Sequence, residues 1–324
     1  MELVVNNKNT GIVDSKDIIT TPKSCFIEAN TTPVTLEHLR KECTIPVFSK
    51  DNETTISHFQ FIEKAFSVAK GFFRELAINE PEIRVSHSIK GRIPEAIGKP
   101  AKDLQEHEKT LYYERCAFII GIQTKEVVNG NTLTLTVGGV RAYNLENLYS
   151  KKTVEKFKIF IGFQNKVCTN LCISTDGFSN EVRITSVEEL EHKMIALFSN
   201  YDKLQHLGMM ERMSKFSLNE EEFAHLIGKL RMYQYLDREE QKRHIAFSLN
   251  DGQINSVVRD YYNCPNFSRD ADNTINLWNF YNLLTEANKS SYIDSNLERN
   301  VNAYEFVNYI SNSLQNKNQN WFLI

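Results

Sequence analysis

Two runs, 109–124 and 132–140, alternate their side chains with a period of two, and Val128-Asn129-Gly130-Asn131 stands between them. Successive residues of a strand point to opposite faces, so this period marks β-structure. Asn and Gly both tolerate positive φ, which a two-residue hairpin turn demands at its central positions. A chain built around this unit must form an antiparallel sheet, and the rest of the fold has to cover it.

The flanking segments read differently. Phe59, Ile62, Phe66, Ala69 and Phe73 recur at three- and four-residue spacing, which predicts an amphipathic helix over 54–77, capped by Thr54 or Thr55. Residues 82–88 read as a strand. Residues 90–102 read as a loop with two Gly, two Pro and several bases. After Ser186 the period becomes helical. Ser186 with Glu189, and Ser217 with Glu220, fit the capping box, and apolar residues follow at helical spacing. Further helices are expected over 252–262, 273–288 and 301–314. The expected organisation is a partly extended N-terminal arm (1–52), a helix plus antiparallel sheet core (53–185), and a helical region packed on or beside the sheet (186–324). The fold class is α+β.

At 324 residues the chain can bury a large core. No apolar run approaches the roughly 18 to 20 residues of a membrane-spanning helix, and residues 1–18 lack the basic and apolar regions of a signal peptide. Six scattered cysteines then imply reduced thiols in a cytoplasm.

Cys168 and Cys172 flank Asn170 in the block FKIFIGFQNKVCTNLCIST, 157–175. Read as a hairpin, the block places both thiols on one strand face about 13 Å apart. That separation excludes one shared zinc or a disulfide. On a helix they would lie about 6 Å apart and could chelate. The alternation favours the strand, no second ligand pair accompanies the cysteines, and small buried thiols are the expectation. Asn170 is then the polar exception on a covered face. Its amide either clamps a neighbouring backbone or contacts a ligand.

No catalytic signature is present, so no catalytic, metal or cofactor residues are assigned. Gly138-Gly139-Val140-Arg141 lacks the strand–loop–helix setting of a phosphate-binding turn, and a bulge or strand end is the plainer reading. The charge distribution is more informative. Between residues 84 and 166, 14 Lys and Arg face eight Asp and Glu, a net +6 in a chain of net −3. Arg84, Lys90, Arg92, Lys99, Arg141, Lys151, Lys152, Lys156 and Lys158, interleaved with aromatics including Tyr143 and Tyr149, have the composition of a single-strand-binding groove. Lysines guarding a sheet edge would look the same. The C-terminal Trp321-Phe322-Leu323-Ile324 reads as a tucked tail or a docking peptide.

Three pieces resemble a bacterial family of undefined function carried on conjugative elements, phages and plasmids. More loosely they resemble a broader phage/plasmid-like group. The pieces are Gly138-Gly139-Val140-Arg141-Ala142-Tyr143, the block 157–177 with its Val-Cys-Thr-Asn core, and LWNFYNLLTEA over 277–287. The resemblance runs from about residue 50 to the C-terminus and implies a cytoplasmic, mobile-element setting without naming an activity. The expected function is non-enzymatic binding of single-stranded DNA or RNA, in annealing or replication support. The alternative is a protein-binding module, such as an anti-defence or host-interaction factor, engaging its partner through the C-terminal region. The two separate on whether the basic groups converge into one groove.

Overall fold

The computed structural model describes residues 25–46, 55–145 and 154–324. From the N-terminal side come β1 (Thr32–Val34), α1 (Leu36–Glu42), β2 (Ile45–Pro46) and α2 (His58–Phe72). Then follow β3 (Glu82–Val85), β4 (Ser88–Arg92), β5 (Lys109–Tyr113), β6 (Arg115–Val128) and β7 (Asn131–Ala142). The sheet region ends with β8 (Glu155–Asn165), β9 (Leu171–Cys172) and β10 (Phe178–Ile184). The helical half holds α3 (Val187–Asn200), α4 (Lys203–Met213), β11 (Ser217–Leu218), α5 (Glu220–Tyr233) and α6 (Arg238–Gln241). It closes with α7 (Asp251–Asn263), β12 (Ile275–Asn276), α8 (Leu277–Asn288) and α9 (Ile293–Asn316). The fold is α+β.

The main sheet runs β1-β3-β6-β7-β8-β10, with β9 also on β8, and its described pairings are antiparallel. The β6–β7 hairpin turns at Asn129 (φ 46°) and Gly130 (φ 76°), the positive values a two-residue turn needs. One sheet face, carrying Phe118, Ile120, Val137 and Ile159, packs beneath Phe61 of α2 and the residues of α3. The other, carrying Ala117, Ile119, Val140 and Phe160, packs against Ile293, Leu297 and Val301 of α9 and against Phe26 and Ile27. Both faces of β7 and β8 are therefore buried, and these strands form the middle layer of the molecule.

Gly138 and Gly139 lie inside β7 and not at a strand end or bulge. The register of β7 on β6 is unbroken there and shifts only between Ile122 and Glu126. A Cβ at Gly138 would stand 2.2 Å from the Phe118 carbonyl oxygen and 2.7 Å from the Phe160 ring. At Gly139 it would stand 2.6 Å from the Phe61 ring. Two neighbouring aromatics thus occupy the room the glycines leave.

Local hydrogen bonding moves several expected boundaries. Ser57, not Thr55, caps α2. Its Oγ accepts from Gln60 N at 3.1 Å, and Gln60 Oε1 accepts from Ser57 N at 2.8 Å. Thr54 lies outside the described residues. Ser217 and Leu218 pair with Ile275 and Asn276, so α5 starts two residues later, with Asn219 and Glu222 as its capping box. The run 82–88 divides between β3 in the main sheet and β4 in a small β2-β4-β5 sheet, and β4 takes Lys90 to Arg92 from the expected loop. The hairpin of 157–175 keeps its first strand, but the second shrinks to Leu171–Cys172. Asn165 Oδ1 accepts from Val167 N at 3.0 Å and the Asn165 carbonyl from Thr169 N at 2.7 Å. These bonds close a turn, with Thr169 at φ 60°. Cys168 and Asn170 sit in that turn.

The tail is folded in. Phe322 is buried against Phe306, with ring centroids 5.0 Å apart, and Trp321 stacks on His244 at 4.8 Å.

Two histidines are sealed in the core. His58 stacks on Tyr112, and its Nε2 donates to the Tyr113 carbonyl at 2.9 Å. His206 Nδ1 meets the Tyr201 hydroxyl at 2.7 Å beneath the Tyr304 ring. Burial holds both down to about 3, aided at His58 by Arg141 and opposed at His206 by Asp176. Unfolded, they titrate near 6.5. Below that pH the unfolded chain takes up two protons that the fold refuses. Stability should therefore fall from about pH 6.5 towards pH 3, the two histidines together contributing up to roughly 2.7 kcal/mol per pH unit. Urea midpoints between pH 7.5 and 4 should show a shallower slope for His206→Gln and for His58→Gln than for wild type. Parallel slopes for all three proteins would refute the assignment.

Candidate binding groove

Of the seven expected cations among the described residues, the structure buries three, together with Tyr143. Arg141 is buried, sandwiched between the rings of Tyr143 (4.2 Å) and Phe157 (4.6 Å). It pairs with Glu155 at 3.2 Å and donates to the Ile56 carbonyl. Tyr143 is buried too, its hydroxyl 2.8 Å from that of Tyr112. Arg92 is buried and donates to the Lys99 carbonyl at 2.7 Å. Lys158 is buried under α9, paired with Glu298 at 2.8 Å and donating to the Asp294 carbonyl. None of these four can meet a phosphate or stack a base without opening the core. Their expected surface role is corrected accordingly.

The remaining residues scatter. The pairings Arg84–Ala117, Ala117–Val140 and Val140–Lys158 set Arg84 and Lys158 on one sheet face, three strands or roughly 14 Å apart. Lys156 pairs with Glu181 at 2.8 Å, and Lys99 pairs with Glu108. Lys90 is exposed on the small sheet. Tyr149, Lys151 and Lys152 lie outside the described residues.

The three segments that carried the resemblance are linked across the middle of the molecule. Asn170 Nδ2 donates to the Asn282 carbonyl at 2.9 Å, and Asn165 Nδ2 to Asn282 Oδ1 at 3.0 Å. Trp278 of the same helix donates to Asn131 Oδ1 at 2.7 Å. Lys289, buried beside α8, pairs with Glu286 and donates to the Cys168 carbonyl. Phe160 of the block packs over Gly138. Cys168 and Cys172 are buried free thiols, and burial pushes Cys168 up to about 12 and Cys172 higher still. Among the described residues no group of three or more His, Cys, Asp or Glu side chains could hold a metal ion.

A groove of about 1200 Å³ opens beside this clamp. One wall comes from β1 and α1 with Pro33, Val34, Leu36, Glu37 and Arg40. Another comes from α2 with Phe59 and Glu63. Glu80, just ahead of β3, and Glu82 and Arg84 within it add to the wall. The β8–β9 turn adds Gln164, Lys166, Val167 and Thr169. Four glutamates face three cations, so the groove carries a net single negative charge. Arg84 is tied to Thr31, with Nε 3.0 Å from Oγ1 and Nη2 2.9 Å from the carbonyl oxygen. Val167 presents an apolar side chain that is 44% exposed. Pro33 blunts the edge strand β1 against further pairing, so recognition here rests on side chains. Glu82 is exposed in the groove wall, and the partial burial it does undergo raises it above the ordinary carboxylate range, opposed by Arg84, Lys166 and Lys289. Burial also lowers Lys166, opposed by Glu82.

A family model described as a domain of unknown function, B. Theta gene description (DUF3871), matches residues 7–323. The chain belongs to that family. The DUF3871 match starts well before residue 50, so β1 and α1, which wall the groove, fall within it. No curated protein and no solved structure matches the chain. No described helix of this DUF3871 chain is long and apolar enough to cross a membrane.

Sequence reading missed the groove. Phe59 was legible only as one position on a helix face. Glu63 and Glu80 carry no motif, and nothing in their spacing brings them to one surface.

Two outcomes follow for this region. Asn170→Leu should lower stability by about 1–3 kcal/mol, the cost of a lost buried hydrogen bond. Asn170→Asp should cost more at neutral pH, since it sets a carboxylate against the Asn282 carbonyl in a dry site. Denaturant titrations read both, and wild-type midpoints would sink the clamp. Glu82 and Lys166 are both exposed, so Glu82→Gln, Lys166→Gln and the double variant should each change stability by no more than about 0.5 kcal/mol in denaturant titrations. A loss of more than about 1 kcal/mol in either single variant would show instead that water does not screen these charges.

Proposed function

We propose that the protein is a non-enzymatic binding module whose groove receives a polypeptide segment of a partner protein. The observation that carries this is the groove itself. It is larger than the 300 to 1,000 Å³ usual for small-molecule sites, and it mixes apolar walls with charges of both signs. Its net negative charge disfavours a polyphosphate backbone. The nucleic-acid reading has lost Arg92, Arg141, Tyr143 and Lys158 to the interior, and Arg84, Lys90, Lys99 and Lys156 do not line one surface. The tucked tail moves the protein-binding reading from the C-terminus to the groove. The setting proposed with it, a bacterial cytoplasm holding a mobile element, rests on the resemblance of three segments and not on the fold.

The test uses the full chain. Peptides selected from a random display library should slow amide exchange over 32–40, 59–63 and 80–84. Val167→Asp, at an exposed position, should weaken them at least tenfold. Labelled single-stranded DNA and RNA and duplex DNA should show no binding at low salt. Oligonucleotide binding with a steep salt dependence, and no exchange protection along the groove, would overturn the proposal.

A further inference from the structure

The charged residues of the groove divide into those already engaged and those not. Glu37 lies 3.1 Å from Lys41 and 3.7 Å from Arg40. Arg84 holds Thr31, and Lys166 reaches Gln164 at 3.1 Å while offsetting Glu82. Glu63 on α2 and Glu80 ahead of β3 are exposed and make no hydrogen bond or ion pair among the described residues. The neighbour of Glu63 does not compensate it, since Lys64 turns away to Glu191 at 2.7 Å. The unanswered charge of the groove is thus negative, and it comes from two different elements.

We infer that the segment bound here is basic, with a lysine or arginine side chain set against Glu63 and Glu80. The inference rests on the groove being a polypeptide site. A bare divalent cation is a poor alternative, because such ions take six or more oxygen ligands or keep most of their water, and no described cluster of three ligating side chains exists. A lysine or arginine needs fewer contacts. It brings its own apolar stem, which the half-buried Phe59 and Leu36 on the same walls can cover while the charged head stays at the carboxylates. Arginine adds a planar face for the Phe59 ring and a fork that a carboxylate can accept from twice.

The experiment selects random twelve-residue peptides by display against the full chain, then measures synthetic copies by calorimetry. Selected peptides should be enriched in Lys and Arg. Replacing the basic residues with Gln should weaken binding at least tenfold. Glu63→Gln with Glu80→Gln should weaken the basic peptide by a similar factor, flatten its salt dependence, and leave the Gln peptide unchanged. Glu63→Lys with Glu80→Lys should favour an acidic version of the same peptide. Both sites are exposed, and unchanged melting curves would confirm that the variants fold. If peptides bind wild type and the double Gln variant equally, or show no basic enrichment, the inference fails while the groove stands, provided Val167→Asp still removes binding. If Val167→Asp leaves binding intact, or no peptide is selected, the groove reading fails as well and takes the inference with it.

Discussion

The contact between sheet and helical half depends on one buried amide, that of Asn282. Its Oδ1 accepts from Asn165, its carbonyl from Asn170, and its Nδ2 donates to the Trp278 carbonyl at 2.9 Å. All three asparagines are fully buried. A buried amide left unpaired costs about 1–3 kcal/mol, so the β8–β9 turn and α8 can meet in few arrangements other than this one. Apolar packing alone would tolerate small slips between the layers. A set of directional bonds in a dry interior does not, and it fixes the register of helix on turn.

A second buried group does similar work at the opposite end of β8. Arg141 reaches both Glu155 and the Ile56 carbonyl, while Glu155 accepts from Ile56 N at 2.9 Å. The start of α2 is thereby tied to β7 and β8. A guanidinium without these partners could not stay buried. Part of the basic character of the central region is therefore structural. Lysines and arginines that would look, on a linear map, like phosphate ligands serve to hold one element to another, and acids from the helical half, such as Glu298 on Lys158, answer them.

The groove is a consequence of these two fastenings. The clamp at Asn282 places the β8–β9 turn, with Lys166 and Val167, on one side. The tie at Arg141 places α2, with Phe59 and Glu63, on another. β1 and α1 close the third side, because Thr32–Val34 pairs with β3 and Phe26 and Ile27 are buried against α9. A surface made by segments far apart in the chain combines charges that no single segment carries. That is why its net sign differs from that of the basic region that supplies part of it.

The sequence by itself determined the local structure and the class of fold. Asn129-Gly130 specified its hairpin because few other residues accept positive φ at both positions, and the three-to-four spacing of Phe59, Ile62 and Phe66 specified α2. Where the sequence misled, a longer-range bond had the deciding vote. Ser217 was a plausible cap until pairing with Asn276 claimed it, and the second strand of 157–175 was plausible until Asn165 closed the turn over Val167. Only the tertiary structure decided which cations face water, because burial and ion pairing depend on partners more than a hundred residues away, as Lys158 and Glu298 show. It alone also brought Glu63, Glu80 and Val167 to one groove. Periodicity records which face of an element is apolar, whereas a site is defined by which elements meet, and that is set by packing and by a few buried directional bonds.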